Sequence, residues 1–370
     1  MSIYLDHAAT TPMFPAAIDQ MCSFLQAHDA NPSSPHAAGR RSRRAIDDAR
    51  DAVAAFARCR SSEVVFTSGG TEADNLAIEG AGANGVVVVS SIEHHAVLEP
   101  ALRRGARIVP VTAEGLVDLD ALRAALDRDV SLVSVMGANN EVGTVQPLAA
   151  VVSLVRELAP RALVHTDAVQ SLPWCVDSGS AECDLVSISA HKFGGPMGVG
   201  ALIVRESASA RLAPILRGGG QEGGLRAGTE NVAGIVATGV AAKIWRNEQE
   251  SIVERVRALR DQLESTLVGI GATPRSPRST RVASIAPLHF PGVATEELLI
   301  ALDRDGVAAS AGAACVSGAQ EPSHVLLAMG YLPSEVEGSI RLSLGWSTTA
   351  QEVADASEII RGALESLRRA

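Results

Sequence analysis

Lysine is nearly absent from this sequence. Of its 32 basic residues only Lys192 and Lys243 are lysine, so a need for positive charge, met elsewhere by arginine, does not explain the lysine at 192. Aromatic residues make up 3% and charged residues 20%, against 46% apolar with abundant Gly and Ala. That balance excludes a disordered or fibrous chain and fits a compact α/β enzyme. A positive excess is missing too. The net charge of −10 excludes a protein whose overall charge neutralises nucleic-acid phosphates, and the arginines of "GRRSRRAIDDAR" at 40–44 are followed at once by acids, as on a solvated helix face. No apolar run approaches the length of a bilayer span, and "MSIYLDHAATTP" lacks the basic-then-apolar start of a signal peptide. The five cysteines, at 22, 59, 175, 183 and 315, form no C-x-x-C pair, and their odd number cannot close fully into disulfides. The expectation is a cytoplasmic protein with no membrane contact, no direct nucleic-acid binding and no metal site.

What is present is a succession of short apolar runs. "EVVFT" 63–67, "VVVVS" 86–90, "RIVPV" 107–111, "SLVSVM" 131–136, "LVHT" 163–166, "DLVSIS" 184–189 and "ALIV" 201–204 are separated by helix-length segments, which predicts a mainly parallel sheet covered on both faces. Residues 228–267 contain no Pro, turn from small-apolar to charged and read as one long helix. After "GATPRSPRSTR", strand candidates at 282–290 and 339–346, helices at 295–304 and 349–368 and a Gly/Ala/Ser-rich loop predict a small α+β domain. At 370 residues there is room for one large and one smaller domain.

Ligands of open α/β sheets collect at the carboxyl ends of the parallel strands, and polar residues fall at those points. Strand 63–67 runs into "SGGTEADN", where glycines admit a ligand to the backbone and Thr71 is expected to open a helix whose free N–H groups favour an anion. Neither a Walker loop nor G-x-G-x-x-G is present, and an ordinary strand-to-helix turn reads equally well. Strand 163–166 ends in Asp167 and Gln170, and the next in Ser189, His191 and Lys192. Asp167 could be a helix cap and Lys192 a surface charge. An amine that must lose its proton and attack a carbonyl cannot, however, be an arginine. A phosphate seat, a Schiff-base lysine and a carboxylate for a pyridine nitrogen are together the requirements of pyridoxal 5'-phosphate.

At this point the sequence resembles the cysteine desulfurases of the nitrogen-fixation and iron–sulfur-cluster type, class-V aminotransferases within the fold-type I pyridoxal-phosphate enzymes. The motifs run nearly end to end: "YLDHAATTP", "NPSSPH", "TSGGTEADN", "SSIEHHAV", "ANNEVGTVQP", "HTDAVQS", "SAHKFGGPMGVGAL", "GGGQEGGLRAGTEN", "GAACVSG" with "EPSHVLLAMG", and "SIRLSLG". The resemblance implies a large domain, 13–260, on a mainly parallel seven-stranded sheet, and a small α+β domain from 1–12 and 261–370. It implies that Lys192 holds the cofactor, Asp167 pairs with its ring nitrogen and His94 stacks on the ring. Asn140 and Gln170 would bond the phenolic oxygen; Gly70, Thr71, Ser189 and His191 would hold the phosphate. Thr229 would reach the phosphate of the other subunit of a homodimer. Arg341 would clamp the substrate carboxylate, with Asn31 and His36 near the mouth. Bland readings exist for single residues: a helix cap for His94 or His95, a turn for Asn140, a structural ion pair for Arg341.

Cys315, in the small-residue run "SAGAACVSGAQEP", would take sulfur from L-cysteine as a persulfide and leave L-alanine; the other four cysteines read as structural. The sulfur would pass to an acceptor protein, in cluster assembly or another thiolation. The sequence departs from relatives at His95, where Lys is frequent, and at Gly223, where Arg is frequent. Selenocysteine lyase or an aminotransferase is the alternative activity, and a catalytically silent binding partner the alternative of another class.

Overall fold

The computed structural model describes residues 2–27, 30–81, 85–177, 179–312 and 322–369. After a short strand β1 (Ile3–Tyr4), the seven apolar runs become β2 (Val64–Thr67), β3 (Val86–Ser90), β4 (Arg107–Val109), β5 (Val130–Ser134), β6 (Leu163–Asp167), β7 (Leu185–Ser189) and β8 (Gly200–Val204). They form one sheet in the order β2-β8-β7-β6-β5-β3-β4. β8 is antiparallel to both its neighbours and every other pair is parallel. Strand ends differ from the sequence reading by one or two residues; β4 stops at Val109 because Pro110 has no N–H for the ladder.

Side chains alternate across a strand, and on one face of β5, β6 and β7 the character changes along each strand. Leu132, Leu163 and Leu185 pack with the helices Gly70–Gly80 and His95–Arg103. Two residues on, toward the carboxyl ends, the same face carries Ser134, His165 and Ser187, all buried, and then Asp167 and Ser189. The opposite face packs under the helices Ala37–Phe56 and Val232–Val268. The long helix begins at Val232 rather than 228, because Gly228 has φ +108 and the Asn231 side chain caps the first turn by accepting from Gly234 N–H.

Beyond that helix come β9 (Thr273–Pro274), β10 (Ile285–His289), β11 (Val307–Ala308) and β12 (Ser339–Ser343). β10 pairs antiparallel with β9 and β12, and β11 pairs parallel with β1, which returns the N-terminal segment to this end of the chain. The helices Thr295–Arg304 and Ala350–Leu367 cover these strands, the second opened by a Thr349/Glu352 capping box. Burial pushes the Cys59, Cys175 and Cys183 thiols up to about 12, as inert structural cysteines require. Cys22 departs from the expectation, being exposed on the helix Pro15–Gln26; Cys315 lies outside the described residues. Among the described residues no helix is long and apolar enough to cross a membrane, and no cluster of three His, Cys, Asp or Glu could hold a metal ion.

Candidate active site

Where β2, β6 and β7 end, the chain lines a cavity of about 370 Å³. At one end β2 turns into the helix that starts at Gly70, one residue before the expected Thr71. A Cβ on Gly70 would meet Val169 Cγ2 at 3.1 Å and Ser189 Cβ at 3.4 Å, and one on Gly200 of β8 would sit 2.5 Å from the Gly69 carbonyl carbon. The Gly200 position therefore demands glycine, and at Gly70 a larger residue fits only if Val169 gives way by a few tenths of an ångström. Thr71, Ser189 and His191 join Gly70 in the wall, so hydroxyls, an imidazole and free helix N–H groups face one small volume, a donor set suited to a phosphate.

Lys192 ends the short turn that follows β7. Its Nζ donates to the carbonyls of Ala8 (2.6 Å) and Ala9 (2.8 Å), and Gln170 Nε2 donates to Ala8 O (2.8 Å). His191 Nδ1 lies 3.1 Å from Thr10 Oγ1, so the N-terminal segment is wrapped over both residues. Behind them the buried Trp245 of the long helix donates to Phe193 O at 2.8 Å, fixing the backbone that carries the lysine.

Asp167 closes β6 and is buried, and its Oδ1 accepts from Val169 N–H at 2.9 Å. Burial pushes its pKa up to about 6 against the pull of that N–H and of Lys192. His94 meets both readings of its place: its Nδ1 accepts from Ala96 N–H and caps the helix His95–Arg103, while the residue lines the cavity. Burial, then the neighbouring Lys192, pull its pKa down to about 4, so the ring is neutral near neutral pH with its proton on Nε2.

Arg341 of β12 enters from the other side. It donates to Asp6 Oδ1 (2.7 Å), Asn140 O (2.9 Å) and Gly312 O (3.2 Å), and its buried Nε has no partner. The structural ion pair considered from sequence thus exists, in a residue that also lines the cavity.

The cavity gathers Gly70, Thr71, His94, Asn140, Asp167, Gln170, Ser189, His191, Lys192 and Arg341. It does not gather Asn31, His36 or Thr229. Asn31 Oδ1 accepts from Ser33 N–H, His36 Nδ1 caps the helix Ala37–Phe56 through Gly39 N–H, and Thr229 is exposed. Sequence reasoning missed the Ala8 and Ala9 carbonyls, Asp74, Glu141, His95 and His324, all in the wall. Only Asp74 carried a usable signal, its spacing of three and four residues from Thr71 and Gly70 on one helix face.

A twisted, mainly parallel sheet with an anion seat, a tethered amine and a buried carboxylate at its carboxyl edge defines an enzyme built to hold a small phosphorylated cofactor. The profile of the class-V aminotransferases matches residues 3–355, and the chain belongs to that family. It is 42% identical over 389 residues, 99% of this chain and 97% of the relative, to an "IscS-like cysteine desulfurase" of Mycobacterium tuberculosis. It is 40% identical over 383 residues, 99% and 95%, to "Cysteine desulfurase IscS" of Dictyoglomus turgidum. A solved NifS-like protein from Rickettsia africae superposes with a TM-score of 0.89 at 29% identity, covering 99% of this chain and 100% of that one. The family's cofactor is pyridoxal 5'-phosphate, and the cavity suits it in volume and donor set.

Proposed function

We propose that this protein is a pyridoxal-phosphate-dependent cysteine desulfurase, converting L-cysteine to L-alanine and leaving the sulfur on Cys315 as a persulfide. The observation that carries the reading is one cavity shared by Lys192, Asp167, Arg341 and the helix-start anion seat, in a chain 40% identical end to end to a protein of that name.

The cofactor, when bound, supplies an electron sink for charge developing at Cα. Gly70, Thr71, Ser189 and His191 would hold its phosphate, Asp167 would pair with the ring nitrogen, His94 would stack on the ring, and Asn140 and Gln170 would bond the phenolic oxygen. Lys192 would hold the cofactor and, once its amine is free, would take the Cα proton on Nζ. Its hydrogen bonds to Ala8 O and Ala9 O keep that amine inside the site. Arg341 grips the substrate carboxylate, with Asn31 and His36 toward the mouth. The Cys315 thiolate would form an S–S bond with the substrate sulfur as the Cβ–Sγ bond breaks; the electron pair stays with the substrate, Cβ takes a proton from the medium, and Lys192 Nζ returns the proton to Cα, giving alanine.

The persulfide then passes to an acceptor protein, in iron–sulfur cluster assembly or another thiolation. We read the functional unit as a cytoplasmic homodimer; the dimer is supported by Thr229, which is exposed and does not line the cavity described above. The division into 13–260 and 1–12 plus 261–370 is supported by the separate sheets on either side of the long helix. Purified holoenzyme given L-cysteine should release alanine and carry added sulfur on the peptide containing Cys315. Cys315→Ser should keep the yellow cofactor and lose sulfide release; full activity of that variant would reject the persulfide step.

A further inference from the structure

Asp74 lies on the helix Gly70–Gly80, on the face shared with Gly70 and Thr71, and all three line the cavity. It is 1% exposed, and its Oδ1 has no hydrogen-bond partner, lying 3.6 Å from His165 Nε2. Its one partner is the Ser187 hydroxyl. Ser187 Oγ in turn lies 2.9 Å from His165 Nε2, and His165 Nδ1 lies 2.8 Å from Ser134 Oγ. Ser187 stands opposite Asp167 across β6 and β7, so two carboxyls converge on one floor of hydroxyls. The titratable groups that bear on this floor are Asp167 and His165 of β6, Glu93 before the helix His95–Arg103, and Lys192 in the cavity wall.

Asp74 and Asp167 are both buried and their charges repel, and burial with repulsion disfavours ionising both. The two are not supplied alike. Asp167 receives the fixed Val169 N–H, a donor that favours a carboxylate, and it feels Lys192. Asp74 receives only a hydroxyl, which accepts as readily as it donates, and its other neighbour His165 is neutral, burial having pushed its pKa down to about 3. We propose that Asp74 is a positioning residue for Asp167: it keeps its proton, shares it with the Ser187 hydroxyl, and so leaves the pair's single negative charge on Asp167. Burial and the charge of Asp167 push Asp74 in the same direction, well above the usual carboxylate range. Environments that drive two acids apart assign their roles. The inference rests on the reading of Asp167 as the partner of the cofactor's ring nitrogen.

Infrared spectra of the holoenzyme test it. Asp74→Asn should remove one protonated-carboxyl band, distinct from the band removed by Glu93→Gln. It should move the pH midpoint of the cofactor's visible absorption by less than about 0.3 unit, since a neutral amide replaces a neutral acid. Asp74→Leu, equally neutral but without the hydrogen bond, should move that midpoint by about one unit. The proposal is overturned if Asp74→Asn leaves every protonated-carboxyl band in place, if it moves the midpoint by a unit or more, or if Asp74→Leu leaves the midpoint where it was. Should Asp74→Asn not fold, a neutron map of the wild-type holoenzyme decides the same point: deuterium on the Asp74 carboxyl supports the proposal and its absence overturns it. Asp167→Asn separates the two readings, because an unchanged cofactor spectrum there would reject the role of Asp167 whatever Asp74 does.

Discussion

The two ends of the cavity are built differently. On the large-sheet side the buried acid and the histidine cap are fixed by donors close in sequence: Asp167 by the N–H two residues on, His94 by the N–H of Ala96. On the small-sheet side Arg341 is held by Asp6 and Asn140, 335 and 201 residues away. Those two contacts need only a strand and its turn, whereas the contacts of Arg341 exist only when the N-terminal segment, β12 and the turn at Asn140 have docked. Lys192 stands between them, delivered by β7 but tethered to Ala8 and Ala9.

Breaking the locally built end should have the largest effect. Lys192→Ala would remove both the proposed cofactor linkage and the proposed base, and turnover should fall by about 10⁴-fold, with loss of the lysine-linked visible band; residual activity within about tenfold of wild type would place the base elsewhere. Arg341→Ala takes out a buried charge and strands Asp6, and kcat/KM for L-cysteine should fall by about 10²- to 10³-fold, chiefly through KM. A loss confined to kcat would mean that the arginine serves the fold and not the substrate. Asp6→Asn keeps the arginine but loosens it. KM should rise about three- to tenfold with kcat little changed, and an unchanged KM would show that Asn140 and Gly312 suffice to aim the guanidinium.

The smallest effect concerns the buried floor under Asp167. His165 is held to about 3 by burial, against about 6.5 in the unfolded chain. Between those values the unfolded chain binds a proton that the folded one refuses, so this residue's share of stability is complete above pH 6.5 and is lost as pH falls. His165→Asn should flatten the dependence of unfolding free energy on pH between about 4 and 6 by up to about 1.4 kcal/mol per pH unit. Denaturant melts across that range measure it, and an unaltered slope would mean that His165 is already protonated in the fold.

The positions of the seven strands were legible because parallel strands covered on both faces read as unbroken apolar runs, and Lys192 stood out because arginine does every comparable task in this chain. The polar floor was less legible. Ser134, His165 and Ser187 are ordinary residues one by one, and only the register of β5, β6 and β7 puts them on one face with Asp167. His94 carried two readings, helix cap and ring-stacking residue; the fold makes it a cap and places it in the cavity wall.

By itself the sequence determined the residues that end each parallel strand, and with them the acid, the amine and the glycine turn of the cofactor end, since strand period and turn chemistry are local. Only the tertiary structure decided that Ala8 and Ala9 hold the amine, that Asp6 holds the arginine and that Asp74 and Asp167 line one cavity. Those pairs join segments far apart along the chain, and no local pattern records a contact that forms only when the sheets, the N-terminal segment and the helices pack together.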